Sequence, residues 1–237
     1  MRRARWLAAL AVAACAACAP LTPPPAATGA LRLIGTAAIP PGTEVLGSAF
    51  GGISGIDYDA RHGRWLLISD DRSVHAPARI YTAHLRYSAT HLAPPELTGV
   101  HTLLHASGRP FAPPRQPVPG MDVPDPESAR WLPGTGHFLW TSEGDFARGF
   151  GPQLRESRAD GTPVRDIPLP PSFMHGPRGN GTLEGLALVP GTRTAWLAME
   201  RPWRQDGPPA AAPVRITAID VDSGRPLRQI AYQPDTP

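Results

Sequence analysis

Three stretches of this chain superimpose without a gap, and that repetition restricts the possible folds more than any other feature. Ser54-Gly55-Ile56-Asp57-Tyr58 leads to Trp65-Leu66-Leu67-Ile68-Ser69-Asp70. Glu127-Ser128-Ala129-Arg130-Trp131 leads to Phe138-Leu139-Trp140-Thr141-Ser142-Glu143, and Glu184-Gly185-Leu186-Ala187-Leu188 to Ala195-Trp196-Leu197-Ala198-Met199-Glu200. First and last residues lie 16 positions apart each time. A turn falls midway: Asp59-Ala60-Arg61-His62-Gly63, Pro133-Gly134-Thr135-Gly136 and Pro190-Gly191-Thr192-Arg193. Two β-prone runs around a Gly-containing turn form a hairpin. Copies of one unit at intervals of tens of residues bury their apolar faces on each other.

Each hairpin is followed by another β-prone run, at residues 79–87, 154–158 and 215–222. The second and third copies continue through Asp160-Gly161 and Ser223-Gly224 turns into residues 164–169 and 227–232. Two hairpins in succession make a four-stranded antiparallel sheet, the blade of a propeller. Pro or Gly interrupts nearly every window long enough for a helix, so the expected fold class is all-β. The copies start 73 and 57 residues apart, and the Pro-rich stretches 109–126 and 163–177 are read as surface loops. Residues 31–34 read as a strand able to join a last blade. Three blades do not close a ring, so the chain is expected to be an incomplete propeller with C-terminal blades missing.

The N-terminus carries an address. Arg2, Arg3 and Arg5 precede a short apolar stretch and two cysteines, Cys15 and Cys18. Val12-Ala13-Ala14-Cys15 resembles a bacterial lipobox, with Cys18 as a poorer match; an ordinary signal peptide cut after Ala-x-Ala is the alternative. Residues 1–18 are thus assigned to export and lipidation, 19–30 to a Pro/Ala-rich tether, and 31–237 to the folded domain. The expected location is the periplasm or outer membrane, lipid-anchored. With both cysteines upstream, the domain itself has no thiol chemistry. The net charge of +3 comes from scattered arginines without a basic stripe, which argues against nucleic-acid binding.

In a hairpin the start of the first strand and the end of the second lie side by side. Glu127 is therefore expected beside Glu143, Glu184 beside Glu200, and Ser54 beside Asp70 with Asp71 next in line. Around a common axis these acids converge. Converging carboxylates raise one another's pKa, and a hard cation such as Ca²⁺, with its six to eight oxygen ligands, relieves that cost. Asp70, Asp71, Glu127, Glu143, Glu184 and Glu200 are the candidate metal ligands. The structural alternative is that each acid binds backbone N–H groups or an arginine and clasps blade ends together. Arg130, Arg178 and Arg201 lie near the acids in sequence and are candidates to receive an anionic substrate group. Other signatures fail: no G-x-S-x-G elbow and no H-E-x-x-H occurs. His75, His137 and His175 are read as loop or turn residues without ligand spacing.

Gly52-Ile53-Ser54-Gly55-Ile56-Asp57-Tyr58 with Leu67-Ile68-Ser69-Asp70-Asp71-Arg72 resembles the opening of the bacterial phytase-like family, described by the esterase-like activity of phytase. Asp125-Pro126-Glu127-Ser128 with Thr141-Ser142-Glu143-Gly144 is similar to the same family, as is Thr182-Leu183-Glu184-Gly185 with Met199-Glu200. The resemblance implies a secreted or lipid-anchored propeller, similar in architecture to calcium-dependent propeller phytases. It carries over Asp70, Glu127, Glu143, Glu184 and Glu200 as motif acids, and no nucleophile. The expected activity is metal-dependent hydrolysis of phosphate or carboxylate esters with a small anionic substrate. The alternative is a non-catalytic envelope lipoprotein propeller that binds a ligand or protein partner.

Overall fold

The computed structural model describes residues 31–209 and 211–235. The assigned export segment, the tether and Cys15 and Cys18 lie outside the described residues. Residues 34–237 form one unit and residues 1–33 another, and the fold below is that of the former. No helix among the described residues is long and apolar enough to cross a membrane.

A small hairpin, β1 (Glu44–Val45) and β2 (Ser48–Ala49), precedes three four-stranded sheets. The first contains β3 (Ile53–Asp59), β4 (Arg64–Ser69), β5 (Arg79–His84) and β6 (Glu96–Thr102). The second contains β7 (Pro126–Leu132), β8 (His137–Ser142), β9 (Gln153–Arg158) and β10 (Pro163–Ile167). The third contains β11 (Leu183–Leu188), β12 (Thr194–Met199), β13 (Val214–Asp220) and β14 (Pro226–Tyr232). All three are antiparallel meanders in chain order, as a blade requires. Strand β7 packs between β3 and β11, so the first strands of the blades face each other.

The core is two layers between blades. Leu66, Ile68, Ile80, Phe138 and Trp140 fill the first; Leu139, Leu154, Leu183, Leu197 and Ile219 fill the second. Strand β8 is buried on both sides, with Phe138 and Trp140 facing one layer and Leu139 the other. That explains why it reads as a continuous apolar run instead of an alternating one. Truncating the fully buried Trp140 to Ala would cost about 3–5 kcal/mol. The other face of the first blade, with Leu67 and Tyr81, is covered by Val45 and Phe50 of the segment around β1 and β2. Arg79 holds that segment by donating to the Ala49 carbonyl at 2.9 Å, and the Tyr81 hydroxyl donates to the same oxygen. The outermost strand β14 is exposed along its whole length.

Several expectations need correction. Residues 31–34 form no strand. The first blade has a fourth strand that was not expected, β6, whose β signal is weakened by Pro94-Pro95 before it and Gly99 within it. Within the stretch read as loop, α1 (Ser172–His175) makes one helical turn and buries Phe173 against Trp203. His137 starts β8 instead of sitting in a turn, with Nδ1 2.8 Å from Glu156 Oε1. The described blades form no closed ring, and their open inner ends carry the acids.

Candidate metal centre at the inner ends of the blades

Each inner hairpin has a bulge at the same place. Pairing slips between Ile53 and Gly55, between Pro126 and Ala129, and between Leu183 and Gly185. The slips contain Ser54, Glu127 and Glu184, the three aligned positions of the repeat. A bulge inserts an extra residue, bends the strand and re-aims the side chain. It also shifts the register away from the one the repeat suggests. Backbone N–H groups of Asp70, Glu143 and Glu200 donate to the carbonyls of Gly52 (2.7 Å), Asp125 (3.0 Å) and Thr182 (2.7 Å). The cross-strand neighbour of Glu143 is therefore Asp125, two residues before the one expected.

The side chains gather all the same. Asp125, Glu127 and Glu143 each offer a carboxylate oxygen within 4.8 Å of the others, and so do Glu143, Glu184 and Glu200. The two triads share Glu143. Asp125, Glu127 and Glu143 retain only 8%, 9% and 2% of their accessible surface. Burial, then the charges of Glu184, Asp125 and Glu143, push the Glu127 carboxyl up to about 9. Burial also raises Asp125 to about 6, against the pull of Arg72. Burial raises Glu184, with Glu143 and Glu200 adding to it, and a hydrogen bond from Glu127 works the other way. Both carboxyls of the Glu127–Glu184 pair are thus pushed toward the protonated form, Glu127 the furthest.

Glu143 has a second task. Its Oε1 accepts the backbone N–H groups of Gly181 (2.7 Å) and Thr182 (2.6 Å), and the Thr182 hydroxyl donates to the Glu143 carbonyl at 2.9 Å. It ties the second blade to the third. Burial raises its pKa and these two N–H groups lower it, with a net rise. Between the first and second blades the ties are different. Ser54 Oγ donates to the Pro126 carbonyl (3.1 Å), and the Asp57 carboxylate accepts the Trp131 N–H (2.7 Å). Gly55 allows the close approach there, since a Cβ on it would fall 3.0 Å from the Glu127 carbonyl oxygen and the Ser128 Cα.

The two aspartates of the first blade part ways. Asp70 sits at the open end, where burial and then the charge of Asp71 raise its pKa. It is close enough to Asp125 and Glu127 to raise theirs. Gly52, at φ +60°, makes room for it: a Cβ there would meet Asp70 Oδ1 at 2.1 Å. Asp71 belongs to neither triad. It accepts Arg79 at 2.8 Å and the backbone N–H groups of Val74 (2.7 Å), His75 (3.2 Å) and Ala76 (3.0 Å). Burial alone would raise its pKa, but Arg79 and these N–H groups outweigh it and hold it low.

Of the three expected arginines, Arg201 reaches the site, with Nε 3.5 Å from Glu200 Oε1 and its chain laid over Gly181. Arg130 instead donates to the carbonyls of Ile56 (3.2 Å) and Ala129 (2.6 Å), farther along β7. Arg178 donates to the carbonyls of Arg204 (3.3 Å) and Gly207 (2.7 Å) in an outer loop. Sequence reasoning missed Asp125, Asp145 and Arg72 as site residues. Arg72 Nε lies 3.6 Å from Asp125 and its NH2 4.0 Å from Asp145, while Asp145 is held by Arg148 at 3.0 Å. Asp125 was visible two residues ahead of Glu127, on the strand end that a bulge would bring opposite Glu143.

Side-by-side four-stranded blades whose inner hairpins turn five carboxylates toward one another define a propeller-type protein with an acidic inner rim. The chain belongs to the phytase-like family, described by the esterase-like activity of phytase, whose model matches residues 48–237. The family's description suggests a phosphatase- or esterase-like hydrolase fold. No curated protein matches it.

Proposed function

We propose that this chain is an exported, lipid-anchored and metal-dependent hydrolase of small anionic esters, acting at the cell envelope. The observation that carries the reading is the pair of buried carboxylate triads joined at Glu143. The donors fit a hard divalent cation: all are oxygens, and they come from rigid strand ends. Burial and mutual repulsion drive protons onto Glu127 and Asp125, a cost that a cation offsets. Asp125, Glu127 and Glu143 would hold one Ca²⁺, and Glu143, Glu184 and Glu200 a second. A cation bound there supplies Lewis-acid polarisation of the ester and a lowered pKa for an attacking water.

The chain's own groups do the rest. Arg72 beside Asp125 and Arg201 beside Glu200 are the cations that would take the remaining anionic oxygens of the ester. Glu143, fixed by Gly181 and Thr182, keeps the two triads in register. The envelope location rests on the basic N-terminus and on Cys15 and Cys18.

A second reading has its own support in Glu143, which clasps two blades with the atoms a ligand would use. On that reading the chain is a non-catalytic lipoprotein propeller whose acids are staples. Calcium calorimetry on the chain and on the Glu127→Gln/Glu184→Gln variant separates the two. Micromolar binding that the variant loses supports the metal centre. A folded chain that binds no calcium leaves the staples.

A further inference from the structure

A cavity of about 460 Å³ opens beside the acidic rim on the first blade, and its walls are unlike the rim. Asp70, Asp71, Arg72 and His75 line it, with Ala49, Phe50 and Val74 as its apolar part. The Arg72 guanidinium lines this cavity and also lies 3.6 Å from Asp125, so cavity and rim share a wall. Arg72 Nε is buried and makes no hydrogen bond of its own. The other guanidinium at the cavity, Arg79, is fully engaged by Asp71 and the Ala49 carbonyl. Phe50 is anchored, its ring 4.8 Å from that of Tyr81, whereas Val74 is 54% exposed.

An ester bound at the rim with an oxygen beside Arg72 has its organic part next to the apolar part of this cavity. A cavity of this size suits a compact group. Its second guanidinium, Arg79, is engaged, and the carboxylates Asp70 and Asp71 stand in its lining, so further phosphates on the same substrate would meet like charge there. Resting on the reading of the rim as a hydrolytic metal centre, we infer that the substrate is a phosphomonoester of a compact apolar alcohol, aryl or branched alkyl. Polyphosphorylated polyols are excluded by the same walls. Arg72 holds a non-bridging oxygen, and Phe50 and Val74 contact the organic group. In the hydrolysis a water oxygen bonds to phosphorus, the bond from phosphorus to the organic oxygen breaks, and that oxygen takes up the water's proton.

The test compares kcat/KM for phenyl phosphate, glycerol phosphate and inositol hexakisphosphate, using the full chain in calcium. Phenyl phosphate is expected to lead both polyol esters by at least about 10-fold, the discrimination an apolar pocket gives. Val74→Lys removes part of the apolar wall and adds a cation, and should cut the phenyl-to-hexakisphosphate ratio about 10-fold. Its exposed side chain and backbone-only bond to Asp71 make the substitution compatible with folding, which the melting curve checks. Glu127→Gln/Glu184→Gln should hydrolyse none of the three. A wild type that prefers the hexakisphosphate, or a ratio that Val74→Lys leaves unchanged, overturns this inference while the metal centre stands. Undiminished activity in the double Gln variant, or no turnover of any ester by the wild type, overturns the metal centre and this inference together.

Discussion

Asp71 and Glu143 end the second strand, or follow it, in neighbouring blades. Both are buried and both accept backbone N–H groups, yet their electrostatic situations are opposite. Asp71 has the Arg79 guanidinium at 2.8 Å and its pKa is held low. Glu143 has other carboxylates within 4.8 Å on two sides and its pKa is raised. The difference separates a staple from a site. A buried charge with its counter-ion is complete in itself, whereas a buried charge among like charges is complete only with a proton or a cation.

The largest expected effect lies on the staple side. Asp71→Ala leaves Arg79 buried without its partner and should lower unfolding free energy by about 3–5 kcal/mol, measured by urea denaturation. Calcium affinity in the same variant should stay within about threefold of wild type, since Asp71 belongs to neither triad. A large loss of calcium binding from Asp71→Ala would erase the distinction between the two acids.

On the site side the order of effects reverses. Glu143→Gln keeps an oxygen to accept the Gly181 and Thr182 N–H groups, so the blade contact is retained. It removes the charge common to both triads, and calcium affinity should fall about 100-fold, roughly 2.7 kcal/mol. Unfolding free energy in chelator should change by less than about 1 kcal/mol, because lost repulsion offsets the weaker acceptor. A variant that binds calcium normally but melts early would make Glu143 a second Asp71.

How far the sequence could show this contrast depends on what each residue answers to. The repeat located every inner hairpin, because strand alternation and Gly turns are local signals. It brought Glu127, Glu143, Glu184 and Glu200 to one place for the same reason. It misassigned the cross-strand partner of Glu143, since one bulge and a one-residue change at the turn move Asp125 into that position. Asp71 next to Asp70 looked like another rim acid, and only the tertiary placement of Arg79 on β5 makes it a staple. Arg130 and Arg178 were close to the acids along the chain but not in space, whereas Arg72 crosses from one blade to the next. Proximity between blades is set by packing and leaves no mark on sequence spacing.

The pKa directions give a weaker but cleaner probe of the rim. Glu127 and Asp125 titrate higher in the folded chain than in the unfolded one. Between the unfolded pKa near 4.5 and the folded value of about 9 for Glu127, the folded state binds more protons, so stability falls as pH rises. Asp125 adds to the fall between 3.8 and about 6. In chelator, the melting temperature should drop by about 5 °C or more from pH 5 to pH 9, using 2–4 °C per kcal/mol for a chain of this length. Saturating calcium should flatten the slope, because the bound ion replaces the protons. Asp71, whose pKa is lowered, contributes stability that is lost only as pH falls toward its folded value, and calcium should leave that acid limb unchanged.

The smallest effect is the most direct one. In the Glu127–Glu184 pair Glu127 is pushed up to about 9, so at pH 7 a bound cation must displace its proton. Calcium titrations in buffers of different ionisation enthalpy should therefore report release of about one proton per chain at pH 7. Release should decline toward pH 9 as the pair loses its proton unaided. Asp71→Ala should show the same stoichiometry as wild type, while Glu127→Gln should show none. Proton release that survived Glu127→Gln would move the titrating group elsewhere in the rim, to Asp125 or Glu143, and with it the position of the first ion.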